Sequence, residues 1–584
     1  MAVQPPPYEQ LDIFPMGTRQ MSRTDPKSNP WWQKPLIHRI LLCVVFAGAL
    51  LPVVPWVEFS GGMENFNVAT AVESVRDSHW LMPYLGLQPR DAKPPILHWI
   101  TALGIELVPG SLAWGARTPS VLAACLMILA VYELGRTLGD WPLGLAGAFM
   151  CGTTILFLKF AWQASYDLHL ALWVIVTNWF LALAIFKDRR WTGCVGAGAA
   201  LGIALMVKGP VAILQTVVPA VAFLFWPRRV KEPATSPTAG WRAPILCGAI
   251  ATLLLALPWT IYAAVINHHM LGVIYNEVSL GTERGYETRT RWHSYIVFFP
   301  MMMPWLLWFL VGFVDIVRTR PRRVVAEMWL LVYWLVLPIF VMTFFAERRD
   351  RYLLPMAGPA ALIAAYGLLR HLPKWRAKWN PAQSILITVQ IIGLAVMAIA
   401  LPIWGGISLR LAVPARMQMA TVDATPWYTP GFVAFAVVCA LGLFVCMFLA
   451  YRQSRAGFVA GSVALMLLAN AVFLWGYKDS LNGRSEGKLL ADDIEEPYPD
   501  ALLFNAAPQH RPMLPLELLI YLNRDVPGIT DASKLGASDR PQVLIYPPNG
   551  DDSLAIPMPP EGFRFLAAQK INTGMYYAFV RDTR

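Results

Sequence analysis

The sequence carries little charge for its length. Asp, Glu, Lys and Arg make up 15% of the 584 residues, whereas about 25% is usual for a soluble domain. Hydrophobic residues account for 56%, and apolar runs of about 20 residues, long enough to cross a bilayer as helix, recur through positions 1–477. This composition excludes a soluble globular protein and predicts an α-helical polytopic membrane protein with about thirteen transmembrane helices.

Cysteine is also scarce, and the polar C-terminal segment has none. All seven cysteines lie within hydrophobic runs, at Cys43, Cys125, Cys151, Cys194, Cys247, Cys439 and Cys446. This distribution argues against a disulfide framework or a CxxC metal site. The histidines do not show metal-ligand spacing either, so no metal-binding residue is predicted.

The formal net charge of +11 does not indicate a nucleic-acid partner. The basic residues form short clusters between apolar runs, such as Lys187–Arg190 and Arg370–Lys378, a pattern typical of cytosolic loops that face anionic lipid. The N-terminus is polar and Pro-rich, which is unlike a cleavable signal peptide. We therefore expect residues 1–35 to be a disordered cytosolic tail.

The Lys/Arg bias predicts three parts with a defined orientation. A transmembrane domain spans 36–477, and its first outer loop covers 57–112. Residues 478–584 form a small extracytoplasmic α/β domain, because short apolar runs such as Gln542–Tyr546 are typical of strands. The protein is therefore predicted to be a multi-pass protein of the cytoplasmic (inner) membrane, with its N-terminus in the cytosol.

One outer connection breaks the charge rule. Arg348, Arg349 and Arg351 precede Tyr352 on the side that should carry few basic residues. Because the arginine fork matches phosphate oxygens, the cluster indicates a lipid-phosphate site. The alternative is a local network in which Glu347 and Asp350 neutralise the arginines.

Most of the other outer connections also hold isolated charges. These charges are Glu64, Asp91 and Lys93 in the first loop, then Asp167, Lys208 and Glu277. Such residues usually face a cavity or a partner rather than lipid. Glu64 at the start of a helix could be a general base or could simply favour the helix N-terminus. Lys93, Lys208 and Asp167 have equally simple alternatives, as snorkelling lysines and a helix cap.

The order of these motifs resembles the GT-C glycosyltransferases, specifically the bacterial aminoarabinose-transferase and protein O-mannosyltransferase-like family. The matching segments are Met63-Glu64-Asn65, Ala92-Lys93-Pro94-Pro95, Val207-Lys208-Gly209-Pro210, Tyr275-Asn276-Glu277 and Arg351-Tyr352-Leu353. The resemblance covers about residues 36–370, and the later spans and the external tail also suit this family.

The resemblance implies a membrane enzyme that takes a sugar from a polyprenyl-phosphate donor at the outer face, with inversion of configuration. A lipid or protein would be the acceptor. Glu64 and Asp167 would be catalytic. Asp91 and Glu277 would serve the acceptor or a related role. The donor phosphate would be bound by Lys93, Lys208, Arg348, Arg349, Arg351 and Tyr352.

The chain departs from the family pattern at three positions. Met63 stands where the family has an aspartate, Ala92 where it has an acid before Lys-Pro-Pro, and Val278 where it has a histidine. No cofactor is therefore predicted beyond a possible divalent cation. Two other interpretations stay open: a multi-pass transporter or flippase of a lipid-linked substrate, and a catalytically silent relative. The charges lie at span ends on one side of the membrane, whereas transporters usually place them near the midplane, so the pattern favours the enzyme.

Overall fold

The computed structural model describes most of the chain, with gaps. The described residues are 30–59, 62–86, 88–90, 93–225, 240–266, 292–318, 326–345, 348–372, 380–411, 430–452, 454–482, 486–506, 514–530, 535–536, 538–547, 558–571 and 574–582. Most of the predicted N-terminal tail lies outside these ranges, as do Asp91, Ala92 and Glu277.

Helices dominate the described residues. In chain order they are α1 Pro35–Leu50, α2 Gly62–Asp77, α3 Ile96–Leu107, α4 Leu112–Leu138, α5 Trp141–Gly152, α6 Ile155–Phe160, α7 Tyr166–Phe186, α8 Arg190–Lys208, α9 Val211–Phe225, α10 Arg242–Ile266, α11 Phe298–Met301, α12 Leu306–Arg318, α13 Ala326–Met342, α14 Ala357–His371, α15 Pro381–Leu411, α16 Pro430–Tyr451, α17 Arg455–Asn482, α18 Glu486–Glu495 and α19 Leu516–Leu522. Short 3-10 helices span Trp31–Gln33, Leu51–Trp56, Trp292–Val297 and Asp350–Met356.

Eight helices in the described ranges are long and apolar enough to cross a membrane. A ninth span results if the bent pair His293–Met301 and Leu306–Arg318, which meet at 110°, is counted as one. Each of the other predicted spans falls on a shorter or partly described apolar helix, such as α5, α9 or α13. The polytopic helical class is confirmed, and the number thirteen stays a prediction.

Helix α14 lies at the centre of the membrane part. In the apolar stretch of Asp350–His371, which includes the preceding 3-10 turn, 89% of the residues are buried, against 11% in that of α10 and 22% in that of α16. A helix that is apolar all round and buried is a core helix, whereas the exposed apolar faces of α10 and α16 suit contact with lipid. The membrane part is therefore a bundle around α14.

The segment between α1 and α4, which was predicted to be the first outer loop, folds into α2, a small hairpin and α3. The hairpin pairs β1 (Tyr84–Leu85) with β2 (Gln88–Pro89). Helix α2, which carries Glu64 in its first turn, buries polar as well as apolar side chains, among them Asn67 and Ser74. The physical reason is that α2 packs against α3 and is also covered by α19 of the C-terminal domain.

The C-terminal domain is a mixed four-stranded sheet packed with α18 and α19. Its strands are β3 Leu502–Asn505, β4 Gln542–Tyr546, β5 Arg564–Ile571 and β6 Gly574–Arg581, in the order β3-β4-β6-β5. β3 is parallel to β4, and the other neighbours are antiparallel. Sequence reasoning missed β5 because polar residues interrupt its apolar pattern. The predicted boundary at 477 falls inside α17, which continues to Asn482.

Candidate active site

Asp167 lies where three segments of the membrane part meet. It occupies the first turn of α7 and is only 1% exposed. Its Oδ1 accepts a hydrogen bond from Lys208 Nζ, and its Oδ2 lies 3.5 Å from Arg351 Nε. Two cations therefore share one buried carboxylate, so the cluster keeps an excess of positive charge.

Local structure explains how Asp167 and Lys208 meet. Asp167 stands near the N-terminus of α7, and Lys208 is the last residue of α8, so each charge is favoured by its helix dipole. Gly209 follows with φ +80° and ψ −154°, a conformation that is essentially restricted to glycine. The sequence Lys208-Gly209-Pro210 thus ends α8 sharply and keeps the lysine at its tip.

An aromatic ring completes this cation cluster. Lys208 Nζ lies 4.4 Å from the centroid of Tyr352, and Arg351 Cζ lies 5.5 Å from it. Both distances fit cation–π attraction. The backbone carbonyl of Tyr352 accepts a hydrogen bond of 3.4 Å from Gln215 Nε2 of α9. The ring thus contacts the ammonium group of Lys208 from one side. The N–H donors on the other sides of this group can bind the Asp167 carboxylate and a ligand.

Lys93 belongs to the same electrostatic neighbourhood. It precedes Pro94 and Pro95, after which α3 begins, and its charge acts on that of Lys208. The structure thus brings together Lys208, Arg351 and Tyr352 around the predicted acid Asp167, with Lys93 near enough for its charge to act on Lys208.

The remaining arginines of the predicted outer cluster are arranged differently. Arg348 donates Nε to the backbone carbonyl of Thr343 at 2.8 Å, and Arg349 is exposed. Asp350 forms an ion pair with Lys159, and its Oδ1 accepts the backbone N–H of Arg351 at 2.8 Å. The described contacts therefore distinguish Arg351, which reaches Asp167, from Arg348 and Arg349.

Glu64 occupies a buried position with well-defined partners. Its two oxygens accept hydrogen bonds of 2.7 and 2.8 Å from Nε and Nη2 of Arg117. Oε1 also accepts the backbone N–H of Ala164 at 2.8 Å. Three of the roughly four lone-pair sites of a carboxylate are thus occupied. This geometry leaves little capacity for proton abstraction and favours a positioning role; the catalytic role predicted for Glu64 stays a prediction.

Sequence reasoning missed a second polar group beside Asp167. Tyr166 OH lies 2.8 Å from Nε2 of His98, and Arg90 interacts with the same hydroxyl. Arg90 also stacks over the ring of Phe66 at 4.9 Å. Burial, with the nearby charge of Arg90, lowers the pKa of His98 to about 3, so this histidine is neutral at physiological pH. Only the adjacency of Tyr166 to Asp167 in sequence could have indicated this group.

The described part of the chain has no evident binding site for a divalent cation. Those residues contain no group of three or more His, Cys, Asp or Glu side chains that could bind one. Lys208 and Arg351 already pair with the carboxylate of Asp167, and their positive charges would repel a metal cation there.

Sequence comparisons connect this site with known proteins. Residues 92–262 match the family model described as dolichyl-phosphate-mannose-protein mannosyltransferase. The undecaprenyl phosphate-alpha-4-amino-4-deoxy-L-arabinose arabinosyl transferase of Pseudomonas aeruginosa (strain UCBPP-PA14) is 26% identical over 306 residues, which cover 50% of this chain and 52% of that protein. The corresponding transferase 1 of Sodalis glossinidius is 28% identical over 305 residues, covering 50% and 52%. The chain thus spans about half the length of the curated relatives it matches.

Structural comparison extends the likeness over nearly the whole chain. ArnT from Cupriavidus metallidurans, in a crystal structure bound to undecaprenyl phosphate, superposes with a TM-score of 0.71 at 18% identity, covering 92% of this chain and 97% of that one. The apo structure of the same protein gives 0.69 with the same coverage. These values show a shared fold. In fold over most of its length, and in sequence over about half, this chain resembles the GT-C glycosyltransferases, and among them the aminoarabinose transferases.

Proposed function

We propose that this protein is a glycosyltransferase that moves a sugar from a polyprenyl-phosphate donor to a lipid or protein acceptor. The single observation that carries the proposal is the buried carboxylate of Asp167, shared by Lys208 and Arg351 beneath the ring of Tyr352. Similarity to arabinosyl transferases that use undecaprenyl phosphate supports the same reading. We place the reaction at the outer face of the cytoplasmic membrane, with the N-terminus cytosolic and the C-terminal domain outside.

The excess of positive charge suits a phosphate leaving group. Lys208 donates a hydrogen bond to Asp167, and Arg351 lies beside the same carboxylate as an ion pair without a hydrogen bond to it. An ammonium has three donors and a guanidinium five, so both cations keep donors for other partners. These N–H groups can bind the donor phosphate, and Lys93 adds a third charge from the first outer loop. We include Arg348 and Arg349 as weaker phosphate ligands at the exposed edge. Such preorganised cations stabilise charge that develops on a departing phosphate.

The reaction is a single displacement with inversion. An acceptor oxygen forms a bond to the anomeric carbon while the bond from that carbon to the phosphate oxygen breaks, and the electron pair leaves with the polyprenyl phosphate. A phosphate acceptor needs no base, whereas a hydroxyl acceptor must lose a proton. For a hydroxyl acceptor, Asp167 is a better candidate than Glu64 to take up this proton, because Oδ2 of Asp167 accepts no hydrogen bond from the described residues. We assign Asp91 and Glu277, which lie outside the described residues, to the acceptor side.

The test uses the full chain in proteoliposomes with undecaprenyl-phosphate aminoarabinose as donor, and separately with other polyprenyl-phosphate sugars. Lys208→Ala and Arg351→Ala should each lower kcat/KM by about 100-fold, the usual loss for one oxyanion donor. Lys93→Ala and Asp167→Asn should also lose activity. Lys187→Ala is the matched control, because Lys187 follows the opposite end of α7 and is exposed.

Three outcomes would overturn the proposal. If Asp167→Asn, Lys93→Ala and Lys208→Ala all retain full transfer, the site is wrongly assigned. If the parent protein moves labelled polyprenyl-phosphate sugar across the bilayer but transfers it to no lipid or protein acceptor, the transporter interpretation replaces the enzyme. A parent that does neither favours the catalytically silent relative.

A further inference from the structure

Arg117 is a fully buried arginine that neither the sequence motifs nor the proposed phosphate site uses. It lies in α4 and is 0% exposed. Its five N–H donors are all directed at protein acceptors: Nε and Nη2 bind Glu64, Nη1 binds the carbonyls of Val54 and Val57, and Nη2 also approaches the carbonyl of Glu58 at 3.5 Å. A guanidinium has only five such donors. Arg117 therefore has no donor left for a substrate.

Two aromatic rings enclose the same guanidinium. Its Cζ lies 4.7 Å from the ring centroid of Phe59 and 4.9 Å from that of Trp162. Phe59 belongs to the segment before α2, and Trp162 lies between α6 and α7. Arg117 thus joins the segment that follows the first span, the start of α2 and the segment that leads into α7.

The C-terminal domain contacts this same group. Tyr521 OH donates to Oε2 of Glu58 at 2.8 Å and accepts the backbone N–H of Phe59 at 3.2 Å. Lys488 Nζ donates to Oε1 of Glu58 at 2.7 Å. Tyr521 and Lys488 stand on α19 and α18. The domain therefore fixes Glu58, whose backbone carbonyl contacts Arg117, and Phe59, whose ring contacts Arg117.

The last connection leads to the proposed site. Glu64, held by Arg117, accepts the backbone N–H of Ala164, three residues before Asp167. Asn67 of the same helix donates to the carbonyl of Ala164 at 3.0 Å. Helix α2 thus holds both polar groups of the Ala164 backbone, immediately before α7 begins.

We infer that Arg117 is a positioning residue that, through Glu64, couples docking of the C-terminal domain to the placement of Asp167. The inference rests on the proposed function, because it assigns Asp167 to the active site. It explains why the acid at the start of α2 accepts three hydrogen bonds from protein groups, which the phosphate site does not explain. An error of about 1 Å in the position of a reacting group can lower the rate about 100-fold.

The test needs a remote change that does not disturb the buried pair itself. Tyr521→Phe removes one hydroxyl in the C-terminal domain and leaves its ring in place. Tyr498→Phe is the matched control, since the Tyr498 hydroxyl contacts Arg564 on the same domain, away from Glu58. Arg117→Lys and Glu64→Gln change the coupling group directly. Lys cannot reproduce the two-point contact of Arg.

Two measurements on the full chain in nanodiscs read the coupling. Hydrogen–deuterium exchange of residues 161–168 should become faster in Arg117→Lys, Glu64→Gln and Tyr521→Phe, and should not change in Tyr498→Phe. In the transferase assay, Tyr521→Phe should lower kcat by about threefold or more with little change in donor KM, and its effect should be non-additive with that of Glu64→Gln.

The outcomes separate this inference from the proposed function. Unchanged exchange at 161–168 and unchanged kcat in Tyr521→Phe, in a parent that transfers sugar, would overturn the coupling and leave the transferase intact. If the variants exchange faster than the parent, but the parent neither transfers sugar nor binds undecaprenyl phosphate, the coupling is supported and the proposed function is overturned. If Arg117→Lys does not fold, the Tyr521→Phe and Tyr498→Phe pair still decides.

Discussion

The proposed phosphate site depends on a few side chains whose roles differ by what each contacts. Lys208 touches an acid on one side and an aromatic face on the other. Arg351 reaches the same acid, whereas Arg348 binds a backbone carbonyl. Neighbouring residues in sequence are therefore not equivalent in space, and a cluster of arginines need not act as one unit.

The ring of Tyr352 offers a test of the cation–π contact. Tyr352→Phe keeps the aromatic face over Lys208 and should retain nearly full activity. Tyr352→Leu removes the face and should weaken donor binding by about 1–2 kcal/mol, the range for a partly desolvated cation–π pair, or about 5- to 30-fold in donor KM. Steady-state kinetics in proteoliposomes checks this. A large loss in Tyr352→Phe would show that the hydroxyl, not the ring, is what matters.

Sequence reasoning singled out the charged residues of the candidate site but not their pairing. Isolated charges beside apolar runs singled out Asp167, Lys208 and Arg351, because such charges are costly next to lipid. Their convergence depends on how α7, α8 and the 3-10 helix Asp350–Met356 pack, and no local pattern encodes that packing. Arg117 also had a signal, a lone arginine inside an apolar span, and it was overlooked because the span was assigned by its length alone.

At the scale of helices, close crossings depend on glycines. A methyl group built on Gly198 of α8 would overlap the carbonyl of Gly248 in α10, and one on Gly248 would overlap the carbonyl of Cys194. Thr252 Oγ1 donates to the carbonyl of Gly198 at 2.9 Å across the same crossing. Small residues allow two backbones to approach in this way, with packing and hydrogen bonds as the attraction.

This crossing predicts a position-specific loss of stability. Gly198→Ala should separate α8 from α10 and cost about 1–3 kcal/mol, the usual range for overpacking. Gly393→Ala in α15 is the control, because an added methyl there meets only Met303 Cε at 3.5 Å. Thermal unfolding in detergent compares the two. Equal melting temperatures would contradict the close crossing.

The contact between α3 and α7 predicts a pH dependence. His98 is buried with its pKa lowered to about 3, whereas a histidine in the unfolded chain titrates near 6.5. The native state therefore excludes a proton that the unfolded state binds, so this contribution to stability is complete above about pH 6.5 and is lost as the pH falls towards 3.

Melting temperatures between pH 7 and pH 4 measure this effect. The parent should lose more stability on acidification than His98→Gln, which cannot take up the proton. His79→Gln, at an exposed histidine, should behave like the parent. Parallel pH profiles for the parent and His98→Gln would show that His98 is not a source of the acid sensitivity.

At the scale of the whole molecule, run length predicted the helical class, and short apolar runs predicted strands such as β4 in the C-terminal part. Neither pattern predicted the contact between the two parts, because it depends on polar pairs far apart in sequence. Asn65 of α2 donates to Glu517 of α19 at 3.1 Å, and Arg76 pairs with Asp525. No periodicity along a single segment predicts such pairs.

Burial should determine which of these two contacts contributes more to the free energy of unfolding. Glu517 is 5% exposed, so Glu517→Ala leaves the buried amide of Asn65 without this acceptor and should cost about 1–3 kcal/mol. The side chain of Asp525 is 56% exposed, so Asp525→Ala should cost about 1 kcal/mol or less. Thermal unfolding of both variants tests the ranking, and the reverse order would contradict it.

The buried pair of Arg117 and Glu64 has a consequence for sequence variation among related proteins. Removal of one partner leaves an uncompensated charge in the interior, which typically costs 3–5 kcal/mol, whereas joint replacement can be nearly neutral. We therefore expect the two positions to covary. A relative without the acid at the start of α2 should also lack the arginine, and its C-terminal domain should then meet the membrane part through different residues.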